Sequence, residues 1–152
     1  MKLIHKIYGT GQPLIIMHGL FGSGDNWRSI ARMMEPHYQS IVVDMRNHGR
    51  SPHDPEMNFQ VMADDILELM TDLKLEKVSL LGHSMGGKVA MQFSLLYPAL
   101  VEKLIVVDIA PKYYPPHHDV VIEAIESIDP KQLTDRMEAE NAMARFLGND
   151  QA

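Results

Sequence analysis

The sequence predicts an α/β fold, a mostly parallel sheet flanked by helices, on three observations. Short apolar runs recur at PLIIM (13–17), SIVVD (40–44), KVSLLG (77–82) and KLIVVD (103–108). Hydrophobicity that does not alternate belongs to strands covered on both faces, as in parallel sheets. Helix-like stretches separate the runs, so strand and helix alternate along the chain. A composition of 45% hydrophobic and 22% charged residues over 152 positions suits one substantial globular core.

Taken in order, residues 2–8 read as a strand toward one edge, and 13–17 as the first central strand. The stretch HGLFGSGDNW (18–27) is a glycine-rich loop leading to a helix over 25–35, with Ser23 or Asp25 as its cap. Strand 40–44 runs into DMRNHGRS (44–51), where Arg46, Asn47, His48, Gly49 and Ser51 hydrogen-bond the turn around Asp44. In the helix over 59–74, Met62, Ile66, Leu69 and Leu73 recur at spacings of four, three and four, forming one apolar stripe. Strand 77–82, a helix over 85–98 and strand 103–108 follow. After Ala110 the strand-like runs stop, and PKYYPPHH leads into acidic helical sequence. The expected division is therefore a core of residues 1–111 and a helical insertion or lid over 112–152.

The 14 basic and 20 acidic residues give a net charge of -6 with no basic stripe, which argues against nucleic acid or an anionic membrane as partner. Small molecules are the expected partners. With no cysteine, disulfides, thiolate catalysis and cysteine metal sites are excluded. The opening MKLIHKIYGTGQP lacks a signal-peptide core, and no run approaches the ~18 apolar residues of a membrane span. No membrane insertion and a cytoplasmic location are expected.

The stretch LLGHSMGGKVAM (80–91) carries the chemistry. Gly82, Gly87 and Lys88 fit most of a phosphate-binding loop, but Val89 stands where a hydroxyl is needed for the metal ion. Gly82-His83-Ser84-Met85-Gly86 fits G-x-S-x-G completely, between an apolar strand and a helix. A sharp turn there strains the serine backbone and leaves no room for side chains two residues either side, which the glycines satisfy. The other reading is a tight strand–helix turn without chemistry. As a nucleophile, Ser84 needs oxyanion donors: the helix beginning near Met85 supplies one N–H, and the loop after His18-Gly19 a second, with Leu20 the first candidate and Phe21 the next.

Together HG (18–19), DMRNHGRS (44–51), GHSMGG (82–87) and VVDIAP (106–111) resemble the α/β-hydrolase superfamily, in particular its small YbfF-like esterase branch. The resemblance implies a longer chain with more strands beyond the lid, so C-terminal strands are missing from the expected architecture. Chain order in this fold places the acid after the serine, making Asp108 the candidate; its other reading is a carboxylate capping the turn into Pro111. Asp44 precedes the serine and is assigned to structure. Of the eight histidines only His117 and His118 follow Asp108. The family's base lies further downstream, so a catalytic His is not expected in this chain unless one of these serves. His18 and His83 flank the pocket and read as polar packing. The expected function is a serine hydrolase cleaving carboxylic esters or acyl thioesters through an acyl-enzyme on Ser84, with no cofactor and no metal. A noncatalytic binding module or remnant of the same fold is the alternative.

Overall fold

The computed structural model describes residues 1–114, 119–129, 133 and 135–147. The chain divides into two compact units, Met1–Pro111 and Lys112–Ala152. The first holds a five-stranded sheet in the order β1-β3-β2-β4-β5. Its strands are β1 (His5–Tyr8), β2 (Gln12–Met17), β3 (Tyr38–Val43), β4 (Val78–His83) and β5 (Val101–Val107). β1 lies antiparallel at one edge against β3, and every other neighbouring pair is parallel.

Three helices return the chain between parallel strands: α1 (Arg28–Met34), α2 (Phe59–Asp72) and α3 (Met85–Leu96). A 3-10 turn, Gly24–Trp27, leads into α1. α2 opens on Asn58, whose side chain accepts from Val61 N–H, so one first-turn donor is satisfied.

The unbroken apolar runs are explained by cover on both faces. Ile15, Met17, Ile41, Val43 and Leu80 pack with Met62, Ile66, Leu69 and Met70 of α2 and with Val89, Ala90 and Phe93 of α3. Leu14, Ile16, Val42 and Leu81 point the other way, onto Ala31, Trp27 and Met34. Alternate residues of each run thus feed opposite cores. Leu73, the last member of the apolar stripe, packs at the rim of the first core.

Beyond Pro111 lie α4 (Asp119–Glu126) and α5 (Arg136–Leu147), which pack on each other. Among the described residues no helix is long and apolar enough to cross a membrane. His117 and His118 lie outside the described residues.

Candidate active site

The carboxyl ends of β2, β4 and β5 lie side by side, and backbone bonds tie the loops that leave them. Ser84 sits between β4 and α3 with φ 49° and ψ −110°, a conformation costly for any residue bearing a Cβ. Its N–H donates to Val107 O at 3.0 Å, and Gly86 N–H donates to His18 O at 3.1 Å. The serine turn is therefore pinned to β5 on one side and to the end of β2 on the other. Two glycines make the turn possible: a Cβ on Gly82 would lie 2.2 Å from Gly86 O, and one on Gly86 2.4 Å from Met17 O. These obstacles are backbone, so neither can yield.

The loop after β2 approaches the serine closely. A Cβ on Gly19 would stand 3.4 Å from Ser84 Cβ and 2.8 Å from His83 Nδ1. Gly22 N–H donates to Gly19 O at 3.0 Å, closing a turn in which Phe21 takes φ 62°. Leu20, half-buried, sits in that turn, whereas Phe21 is 55% exposed. Met85 opens α3, so its N–H belongs to the first turn, which has no intrahelical acceptors. The geometry thus groups Ser84, Gly19, Leu20 and Met85 at one corner.

His18 fixes the loop from beneath. It is 1% exposed, its Nδ1–H donates to Gly19 O at 2.7 Å, and its Nε2 accepts from Met45 N–H at 3.0 Å. Burial is the main cause holding its pKa below the ordinary 6.5, with the nearby His48 adding to it. The ring is a neutral strut whose tautomer is set by its two partners.

Asp108 follows β5 at φ 56° with its side chain 84% exposed. Among the described residues the ionisable side chain paired with it is His83, whose Nε2 lies 3.6 Å from Asp108 Oδ2. This differs from simple polar packing: His83 is half-exposed, its ring is tilted 6.2 Å from that of Trp27, and it walls a cavity of about 470 Å³. As the last residue of β4 it follows Leu81 onto the α1 face, which is why it meets Trp27.

Asp44 behaves differently from Asp108. It is 5% exposed and accepts from Gly24 N–H at 2.7 Å and Arg50 N–H at 3.0 Å. Ser51 Oγ donates to the Asp44 carbonyl, and Asn47 exchanges two bonds with Asp54. Arg46 departs from the expected turn network. Its guanidinium leaves the turn for buried Asp65 of α2, with bonds of 2.6 and 2.9 Å, because that charge needs an anion when buried. The Asp65 hydrogen bond also raises the Arg46 pKa. Asp65 was not legible as a partner, being one acidic residue on a mixed helix. Among the described residues no group of three or more His, Asp or Glu side chains forms a metal site.

A parallel sheet that carries a strained serine at a strand–helix turn, against a glycine loop from a neighbouring strand, defines the nucleophile-elbow class of α/β proteins. The chain belongs to the α/β-hydrolase fold family: residues 12–141 match the model described as alpha/beta hydrolase fold. It is 38% identical over 142 residues to esterase YbfF of Escherichia coli (strain K12), an alignment covering 93% of this chain and 56% of that protein. It is 39% identical over 147 residues to the sn-1-specific diacylglycerol lipase ABHD11 of Danio rerio, covering 91% and 46% respectively. Among solved structures, one titled marine microorganism esterase superposes with TM-score 0.92 at 45% identity, over 98% of this chain and 60% of that one. The chain spans about half the length of these curated relatives.

Proposed function

We propose that this chain carries the nucleophile, the oxyanion donors and the acid of a serine hydrolase acting on carboxylic esters or acyl thioesters. The observation that carries the reading is the backbone of Ser84, strained at φ 49° and backed by two glycines that admit no side chain. A fold holds such strain where reactivity needs it. The relatives named esterase and lipase support the same reading.

In this mechanism Ser84 Oγ attacks the carbonyl carbon while a histidine base takes its proton. The carbonyl π electrons move to oxygen, and the oxyanion accepts from the N–H groups of Leu20 and Met85. Collapse expels the alcohol or thiol, which takes the proton from the imidazolium and leaves an acyl-enzyme on Ser84. Water repeats the sequence and releases the acid. Asp108 accepts from the base's other N–H and holds its orientation. The base itself is not assigned among the described residues, and α4 and α5 are proposed as part of a lid.

The test is reaction of the longest protein that carries this sequence with a fluorophosphonate probe, followed by peptide mapping. Labelling confined to Ser84 and abolished in Ser84→Ala is expected. Labelling elsewhere, or ester turnover retained in that variant, overturns the reading. A noncatalytic ligand-binding role is the second reading, favoured by the 84% exposure of the Asp108 side chain and its pairing with His83. Saturable ligand binding without Ser84 labelling would support it.

A further inference from the structure

We propose that His83 is a positioning residue for the acid, its imidazole Nε2–H holding one carboxylate oxygen of Asp108 and leaving the other for the base. The proposal rests on the serine-hydrolase reading above. Asp108 needs such a partner. Its backbone is placed by the nucleophile turn, since Ser84 N–H donates to Val107 O at 3.0 Å. Its side chain, however, is 84% exposed, and a carboxylate free to rotate in water orients nothing. Asp44 takes two backbone N–H groups, from Gly24 and Arg50. For Asp108 the ionisable side chain at hand, among the described residues, is His83 at 3.6 Å.

The backbone explains why the two meet. His83 and Val107 are register partners on β4 and β5, and Val107 packs on the α1 face of the sheet. An extended residue after Val107 would point to the opposite face. Asp108 instead takes φ 56°, which ends the alternation, and its carboxylate stands within ion-pair reach of His83. Aspartate is among the few residues that enter this region readily.

His83 can hold the acid because it is itself held. A Cβ on Gly19 would lie 2.8 Å from its Nδ1 and 3.2 Å from its Cε1, so that edge of the ring rests on the loop after β2. Trp27 packs on it with ring centroids 6.2 Å apart, and Nε2 is left toward Asp108. The same arrangement separates this role from that of a base. A base on Ser84 presents its second nitrogen to the serine oxygen, whereas the second nitrogen of His83 stands against Gly19. At 3.6 Å the contact is an ion pair rather than a full hydrogen bond, and rotation of the exposed Asp108 side chain closes the difference.

The test uses the longest protein that carries this sequence, with p-nitrophenyl acetate as substrate. His83→Gln keeps a side-chain N–H donor, whereas His83→Leu keeps bulk against Trp27 and removes the donor. His83→Leu is expected to lower kcat about tenfold with KM within about twofold, the scale typical of losing the partner behind a functional group. His83→Gln should recover most of kcat. In Asp108→Ala, adding His83→Leu should change kcat by less than about twofold, since the group it orients is gone. Fluorophosphonate labelling of Ser84 should persist in both His83 variants, and neither melt should move, because an exposed pair adds little to stability. His83→Ala, which also lacks the donor, repeats the comparison should His83→Leu fail to fold. Equal kcat in the Gln and Leu variants, or a loss that adds in full to that of Asp108→Ala, overturns the proposal and leaves the esterase. A change confined to KM overturns it too, by placing His83 against the substrate. Labelling lost in His83→Gln would make His83 the base itself and overturn the positioning role. Absence of Ser84 labelling in the wild-type protein removes the esterase reading, and the positioning role with it.

Discussion

Two aspartates that end strands carry opposite burdens, and substitution should separate them. Asp44, buried, is the acceptor for the N–H groups of Gly24 and Arg50. Asp44→Ala leaves the buried Gly24 donor unpaired, and should cost about 2 to 3 kcal/mol in urea unfolding. Asp108 is 84% exposed, so Asp108→Asn should change stability by less than about 0.5 kcal/mol. In the proposed hydrolase it should lower turnover by orders of magnitude, since the base loses its orienting anion. If Asp108→Asn unfolds the chain while Asp44→Ala does not, the two roles are reversed. His18 gives a pH dependence whose sign follows from burial. Its folded pKa lies below 6.5, so just below that pH the unfolded chain binds the proton and the folded chain does not. Stability therefore falls as pH drops through this window and levels off below the folded pKa. Melting temperature should decline from about pH 7.5 to about pH 5.5, and less steeply in His18→Gln. Equal slopes in the two proteins would assign the decline to other groups. At this scale the strand-ending aspartates were legible because each follows an apolar run. The contact of His83 with Asp108 was not, since it depends on which face β4 turns at its last residue.

The elbow is an element whose tolerance to substitution is set by what stands opposite each glycine. A Cβ at Gly86 meets the carbonyls of Met17 and His18 at 2.4 and 2.7 Å, while at Gly87 the closest atom, at 2.6 Å, is a methyl of the Ile109 side chain. Backbone belonging to β2 cannot retreat without breaking the sheet, but a side chain can change rotamer. Gly86→Ala should therefore abolish soluble folded protein, and Gly87→Ala should leave a folded chain with a lower melting temperature. A native melt for Gly86→Ala would mean that α3 does not press on the end of β2. The G-x-S-x-G spacing made this element readable from sequence, because the physical demand falls on residue types at fixed offsets. The same holds for the apolar stripe of α2, three of whose four members are buried. The Arg46–Asp65 pair escaped because a buried ion pair between distant elements leaves no local pattern. The start of β3 at Tyr38, earlier than its apolar run, shows that polar residues extend a strand where a neighbour supplies the ladder.

At the scale of the whole molecule, β5 is the place where sequence and surroundings disagree. KLIVVD reads as a strand covered on both faces, and β4, β2 and β3 are covered in that way. In β5, however, Leu104 and Ile105 are 41% and 40% exposed, and being consecutive they face opposite sides of the sheet. Among the described residues β5 has β4 as its one strand neighbour, so its outer edge presents free N–H and C=O groups. The charges that would discourage edge pairing, Glu102 and Lys103, lie near its beginning, and Glu102 is already paired with Lys77 at 2.9 Å. An apolar edge strand of this kind is a template for a second chain. Sedimentation velocity of residues 1–152 should therefore show association that grows with protein concentration. Leu104→Lys with Ile105→Lys puts a charge on each face of the edge and should shift the distribution toward monomer without lowering the melting temperature. A chain that stays monomeric across the accessible concentration range, with no change in the double variant, would show that the edge is already protected. In that case the exposed apolar residues of β5 carry no tendency to pair.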